Sequence, residues 1–230
     1  MPNSFYARAG KRILDTFISL SLLLAAGPLF LIIALAIKLD SRGPVFYRQE
    51  RIGQKGRPFS LLKFRSMIVD AEHQGAGILV LAGDDRITRV GRILRKFSLD
   101  ELPQIINVLG GGMSIIGPRP GLKYQTDKYN ELQSRRLFVK PGITGWAQVN
   151  GRNSIPWDRR IELDIEYVDR ISLGLDFKIL CRTPFVVLGG EGQIAKADFW
   201  KERSGTESKA EDTAENDDGE GGDRRSTLEW

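Results

Sequence analysis

The stretch Phe17–Ile37, FISLSLLLAAGPLFLIIALAI, carries no charged side chain and ends at Lys38. A run of roughly 20 apolar residues is long enough to cross ~30 Å of hydrocarbon as one helix. Two features complicate a simple crossing. Gly27-Pro28 sits near its middle, where proline removes a backbone donor and crowds the preceding turn, so a kink or break is expected. The flanks are basic on both sides, with Arg8, Lys11 and Arg12 before and Lys38 and Arg42 after. A spanning helix concentrates Lys and Arg on its cytosolic side. Basic residues at both ends suit a re-entrant helix-break-helix hairpin that dips into one leaflet and returns. The alternative is a single-pass helix with a tolerated proline. These residues alone leave both open. A signal peptide fits less well, because the apolar run continues past Ala25-Ala26 and exceeds a typical h-region.

The rest of the chain must therefore be read as something held at a membrane. Its net charge of +5 is unevenly spread. Residues 201–230 set Lys201, Arg203, Lys209, Arg224 and Arg225 against ten acids, about −5, which leaves the remainder near +10. That tail is rich in Glu, Asp, Gly and Ser and is expected to be disordered. A basic body beside an apolar anchor points to anionic lipid head groups or phosphorylated substrates. No nucleic-acid motif is recognisable, and nucleic acid is not expected as a partner. The single cysteine, Cys181, excludes an intramolecular disulfide and fits a reducing compartment. Its neighbours Ile179, Leu180 and Phe185 suggest a buried thiol.

Taken in order, residues 1–12 mix Phe5 and Tyr6 with Arg8 and Lys11, as interfacial segments do. After a turn at Ser41–Pro44, Val45–Ile52 and Phe59–Met67 read as two strands around a turn at Gly53–Pro58, a basic hairpin carrying Arg48, Arg51, Lys63 and Arg65. Met67–Glu72 reads as a short helix and Asp84–Arg95 as a loop running into a basic helix. Leu99, Leu102, Ile105, Ile106 and Leu109 have helical spacing, stopped by Gly110-Gly111-Gly112. Tyr124–Phe138 and Ile161–Val168 read as helices, and Phe177–Leu188 as an apolar segment too short and too broken at Pro184 to span.

Several residues could carry chemistry. Asp100 and Glu101 are adjacent carboxylates just after Arg92, Arg95 and Lys96. Such a pair could hold a divalent cation or supply a nucleophile to phosphorus. It also matches a capping box, Ser98-Leu99-Asp100-Glu101, which needs no chemistry at all. In Gly117-Pro118-Arg119-Pro120 two prolines restrict the backbone around a guanidinium, suiting bidentate phosphate recognition. The bland reading is a tight turn with a solvated arginine. Lys63 and Arg65 share one face of a strand, and Arg152 follows a glycine. His73 stands alone in a polar stretch and reads as a surface residue.

Together these pieces resemble the bacterial sugar transferase family, the monotopic phosphoglycosyl transferases that begin surface-glycan assembly. The matching stretches are Lys63–Met67, Ser98–Gln104 through Asn107–Leu109, Met113-Ser114 through Gly117–Pro120, and Lys140–Gly145 through Gln148–Arg152. The resemblance runs from the hairpin to about Gln193. It implies a small single-domain form, since no extra N-terminal membrane domain fits in this length. It implies transfer of a sugar 1-phosphate from a nucleoside diphosphate sugar, usually a UDP-sugar, to polyprenol phosphate, with release of UMP. Asp100 then matches the nucleophile that carries the phosphosugar, and Glu101 its magnesium-associated partner, so that both would be metal-linked with Mg2+ as cofactor. Arg119, Arg95 and Arg152 match basic positions near the substrate phosphates, Lys63 more weakly, and Asp164 matches an acidic position of open role. Gly27-Pro28 falls where the family's hairpin breaks, often as Ser-Pro. Glycine there removes a hydroxyl that could satisfy a freed carbonyl.

The expected architecture is α+β and mostly helical. Residues 1–40 would form the lead-in and re-entrant hairpin. Residues 41–200 would form the catalytic domain, with a small β-hairpin and amphipathic interfacial helices around a cytosolic site. Residues 201–230 would form the tail. The protein would sit monotopically in the bacterial inner membrane, in contact with the lipid bilayer. The rival reading is a non-catalytic membrane-surface adaptor with the same anchor and basic face, in which Asp100 and Glu101 merely cap a helix.

Overall fold

Lys11–Asp40 form one unbroken helix, α1, in the computed structural model, which describes residues 5–74, 77 and 83–189. The acidic tail expected at 201–230 lies outside the described residues. At Gly27-Pro28, where a kink or break is expected, both residues are helical and the helix runs on through them. Proline deletes one hydrogen bond from the ladder, and the Leu-, Ile- and Ala-rich turns on either side continue the helix around the gap. A π-helical turn, Tyr6–Gly10, leads into it. Most of the apolar surface of α1 is open. Leu24, Leu31 and Ile32 are 73%, 74% and 65% exposed, and Phe17, Leu20 and Leu35 are exposed with them.

The two ends of α1 are nevertheless both tied to the domain that follows. At the N-terminal end Lys11 Nζ meets Asp176 at 2.6 Å, Arg12 donates to the carbonyls of Val108 and Leu109, and buried Asp15 accepts from Ile115 N at 3.0 Å. At the C-terminal end Ile33 and Ile37 pack with Phe64 and Leu94, and Asp40 accepts from Val90 N at 2.9 Å.

Strands β1 (Phe46–Ile52) and β2 (Pro58–Phe64) pair antiparallel, Arg51 opposite Phe59 and Tyr47 opposite Lys63, so the expected hairpin is present. The short helix expected at Met67–Glu72 is instead a single β-bridge from Met67 to Ile87 and a 3-10 turn at Ala71–His73. Helix α2 (Arg89–Lys96) is capped by Thr88, whose hydroxyl accepts from Gly91 N at 2.9 Å. A Cβ at Gly91 would lie 1.9 Å from Ser66 O, so only glycine lets α2 press onto the end of β2.

The helix expected across Leu99–Leu109 divides into a 3-10 turn, Leu99–Glu101, and α3 (Gln104–Leu109). Pro103 supplies no N–H to carry the ladder across, so it restarts. Strand β3 (Ser114–Ile116) pairs in parallel with β4 (Gly142–Thr144). Between them the expected single helix at Tyr124–Phe138 is three short pieces: α4 (Lys123–Thr126), α5 (Glu131–Ser134) capped by Asn130, and a 3-10 turn at Arg135–Phe138. Helices α6 (Trp146–Val149), α7 (Trp157–Asp169) and α8 (Leu173–Gly189) complete the fold. Leu61, Val108, Met113, Ile116, Tyr167 and Ile179 are the centre of the core. Helix α8 buries Asp176 and Ile179 but exposes Phe177, Phe185 and Leu188. Cys181 is exposed, so the buried thiol suggested by its neighbours is corrected: Ile179 faces the core, but Leu180 and Phe185 are on the open side with the thiol.

Candidate active site

Ser98 does not cap. Its backbone is left-handed, φ 54°, and its side chain accepts no hydrogen bond from the turn that follows. The capping-box account of Asp100 and Glu101 therefore fails, and both carboxylates are turned into the protein, each only 8% exposed. Arg152 is the second left-handed residue here, φ 51°, and it donates to Ser98 Oγ at 3.4 and 3.5 Å. Two touching non-glycine residues in this region each cost on the order of 1 kcal/mol or more, so packing here overrides local preference.

Glu101 is clamped. Its Oε1 accepts from Lys63 Nζ at 2.8 Å and Arg119 Nη2 at 2.6 Å, and its Oε2 from Arg119 Nη1 at 3.3 Å. Burial alone would raise its pKa, but Arg119 and Lys63 outweigh burial and hold it well below the usual carboxylate range. Asp100 is the opposite case. Among the described residues no hydrogen bond reaches its carboxylate. Burial raises its pKa, the adjacent Glu101 charge adds to that, and Lys63, Arg95 and Arg119 oppose it.

The loop Gly117–Gly121 holds Arg119 in place from all sides. Pro118 O accepts from Gly142 N at 2.9 Å, Arg119 O from Arg136 Nη2 at 3.1 Å, Pro120 O from Arg51 Nη1 at 3.2 Å and Gly121 O from Ile52 N at 3.0 Å. Four successive carbonyls are thus each satisfied from another segment. A Cβ at Gly117 would come within 2.5 Å of Lys140 O, so the loop lies too close to β4 for any side chain there.

The structure brings together Lys63, Arg95, Arg119 and Arg152 around Asp100 and Glu101. Arg95 reaches Ser66 Oγ at 3.4 Å and interacts electrostatically with Asp100. Burial lowers the pKa of Arg152, and neighbouring Arg119 lowers it further. Asp164 is not at the dyad; it is paired with Arg136 behind the loop. Arg65 also leaves the group, turning to Ser41 and Arg42. Arg51 was not singled out from the sequence as a site residue, yet it joins this set. Burial and Arg119 push its pKa down to about 10, and its hydrogen bonds go to Gln49 and the Pro120 carbonyl rather than to a carboxylate. The signal available was the alternation Gln49, Arg51 on one face of β1.

For a divalent cation the donor set is small. Among the described residues no group of three acid, histidine or cysteine side chains could enclose a metal. The Asp100 carboxylate, unpaired among the described residues, fits a hard cation of the Mg2+ type, which is commonly held by one or two carboxylates and completed by substrate phosphates; Glu101 beside it already accepts from Lys63 and Arg119.

An excess of cations over two buried carboxylates, one of them unpaired, is an arrangement for handling phosphate. The family model described as bacterial sugar transferase matches residues 6–190. The chain belongs to that family. It is 46% identical over 182 residues to an uncharacterized sugar transferase, EpsL, of Bacillus subtilis (strain 168), covering 79% of this chain and 89% of that one. It is 46% identical over 192 residues to the UDP-glucose:undecaprenyl-phosphate glucose-1-phosphate transferase of Xanthomonas campestris pv. campestris, covering 80% of this chain and 40% of that one. A UDP-N-acetylgalactosamine-undecaprenyl-phosphate N-acetylgalactosaminephosphotransferase of Aeromonas hydrophila is 42% identical over 200 residues, 84% of this chain and 46% of its own. The chain thus spans most of the first family member and less than half the length of the other two.

Proposed function

We propose that the chain transfers a sugar 1-phosphate from a UDP-sugar to polyprenol phosphate, releasing UMP, as the first membrane step of glycan assembly. The observation that carries this reading is the asymmetry of the dyad. Glu101 spends its charge on Lys63 and Arg119, while Asp100 stays buried, unpaired and beside cations. A carboxylate without hydrogen-bond partners keeps its lone pairs available for attack. The names of family members, which act on UDP-sugars and undecaprenyl phosphate, support the substrates.

In this account an Asp100 oxygen attacks the phosphorus that bears the sugar. The bond from that phosphorus to the bridging oxygen breaks, and UMP departs with the electron pair. An oxygen of polyprenol phosphate then attacks the same phosphorus and displaces the Asp100 carboxylate. Arg119, Arg95, Arg152 and Arg51 bind and orient the diphosphate, Arg119 held by its clamped loop. Lys63 keeps Glu101 ionised and in place. Asp100 and Glu101 would hold Mg2+, which supplies charge neutralisation between carboxylate and diphosphate.

The feature that supports a monotopic disposition is α1. A straight helix of this length spans about 45 Å, yet both of its ends engage one domain. Ends separated by a whole bilayer could not do that while the exposed middle lies in lipid. A monotopic, re-entrant or leaflet-lying helix satisfies both conditions and sets the site at the depth of a lipid phosphate. The domain then lies on the cytosolic face, where nucleotide sugars are found.

The test is UMP release by purified protein, supplied with polyprenol phosphate and Mg2+, across a panel of UDP-sugars. One sugar should stand out. No release with any sugar, from folded protein, contradicts the reading and favours the adaptor.

A further inference from the structure

Asp164 lies far back from the dyad, but it is not idle. Its Oδ2 accepts from Arg136 Nε at 3.0 Å and Nη2 at 2.6 Å. The same Nη2 donates to Arg119 O at 3.1 Å, and Nη1 donates to Tyr129 OH. The Arg136 guanidinium also lies 5.6 Å from the Trp157 ring centre. Arg136 and Asp164 are 6% and 2% exposed. The geometry points to a positioning relay: Asp164 fixes Arg136, Arg136 fixes the backbone of Arg119, and Arg119 is thereby aimed at Glu101 and the substrate phosphate.

Three observations carry this. First, Arg119 is flanked by Pro118 and Pro120, which have no N–H, so the loop cannot brace itself and relies on donors from outside. Second, one guanidinium serves the carboxylate and the loop carbonyl at once. A lysine ammonium could touch both groups, but it would lose the Nε bond to Asp164 and the Nη1 bond to Tyr129 that fix the plane of the guanidinium. Third, Asp164 Oδ1 is buried with no hydrogen-bond partner among the described residues. Burial raises the Asp164 pKa, against the pull of Arg136 and Arg160. A buried ion pair with one oxygen unsatisfied is a poor choice for stability alone, since apolar packing commonly does as well. It makes sense where direction matters. Asp164 and Arg136 act here as positioning residues, and neither makes a hydrogen bond or ion pair with Asp100 or Glu101.

The relay rests on the phosphosugar-transfer reading for its consequence, though not for its geometry. The test is a double-mutant cycle in the full-length protein between Arg136→Lys and Arg119→Lys. Alone, Arg136→Lys should lower kcat/KM for UDP-sugar by about 10- to 100-fold, as small misplacements of a catalytic group do. In the Arg119→Lys background the same change should lower it less than about twofold, because the group being aimed is already lost. Losses that multiply overturn the relay while leaving the reaction intact. The same cycle read on melting temperature needs no activity: the two shifts should sum to more than the double variant shows, because each loosens the Arg119–Glu101 pair. Additive shifts overturn the relay even if no transfer activity is found, an outcome that would separately sink the functional reading. If Arg136→Lys does not fold, Tyr129→Phe, which removes the acceptor of Nη1, replaces it in both cycles with the same criteria.

Discussion

Asp100 and Glu101 are consecutive, equally buried and oppositely perturbed: the same pair of cations that clamps Glu101 leaves Asp100 without a hydrogen bond. The pair thus divides its work. One carboxylate gathers the cations, and the other is left without a hydrogen bond among the described residues.

The first consequence is a pH dependence with a definite sign. The folded-state pKa of Asp100 is raised, chiefly by burial, so its ionised form is disfavoured in the native protein relative to the unfolded chain. Stability associated with its protonated form is present at low pH and is lost as pH rises through the raised pKa. Asp100→Asn should therefore raise the melting temperature near neutral pH by a few degrees. The gain should shrink as pH falls through that pKa. A melting temperature lowered at neutral pH would count against a buried, unpaired carboxylate.

Glu101 behaves the other way. Its depressed pKa means a contribution to stability that is present at neutral pH and lost as pH falls through its folded value. Glu101→Gln removes the counter-charge of half-buried Lys63 and should destabilise by about 2 kcal/mol, measured by denaturant titration at neutral pH. A loss within experimental scatter would mean that the clamp is a surface contact in solution.

Arg119→Lys keeps the charge but loses the two-pronged contact with Glu101. Turnover, as kcat/KM for UDP-sugar, should fall about 10-fold or more, since a point charge cannot reproduce the planar fork. Wild-type kinetics would reduce the Pro-Arg-Pro loop to an ordinary turn.

Topology can be read by cysteine labelling. In a Cys181→Ser background, which removes the exposed native thiol, single cysteines replace Asn3 and Ser60 in turn. An impermeant reagent applied to intact cells should label neither. Labelling of position 3 alone would make α1 a spanning helix and would require its N-terminal contacts with Asp176 and Ile115 to be absent in the membrane.

Much of this was legible in the sequence, and the exceptions share a physical cause. The β-hairpin, α2 and α7 were readable because alternation or helical spacing coincided with burial. The dyad's four neighbouring cations each stand out in the sequence with an ambiguous role, and only the family resemblance, which carries tertiary information that spacing does not, groups them at one site. Pattern failed where backbone chemistry decided. Pro103 split the helix at Leu99–Leu109, and Pro28 failed to split α1, because a long apolar helix tolerates one missing hydrogen bond. The capping box at Ser98 is a true motif in a false place; Thr88 and Asn130 are among the side chains that do cap. Arg51 and Arg136 were invisible because their role is to hold carbonyls of a loop distant in sequence. Asp164 was found, but not what it faces.

The central claim is that Asp100, and not Glu101, becomes covalently attached to the phosphosugar. Purified protein is incubated with UDP-sugar labelled in the sugar, in the absence of acceptor lipid, and quenched in mild acid. The account expects label on wild-type protein, its removal by hydroxylamine as for an acyl phosphate, and no label on Asp100→Asn. That variant should fold as well as wild type, so its failure would not be one of structure. Label retained by Asp100→Asn, or turnover near the wild-type rate, would contradict the claim.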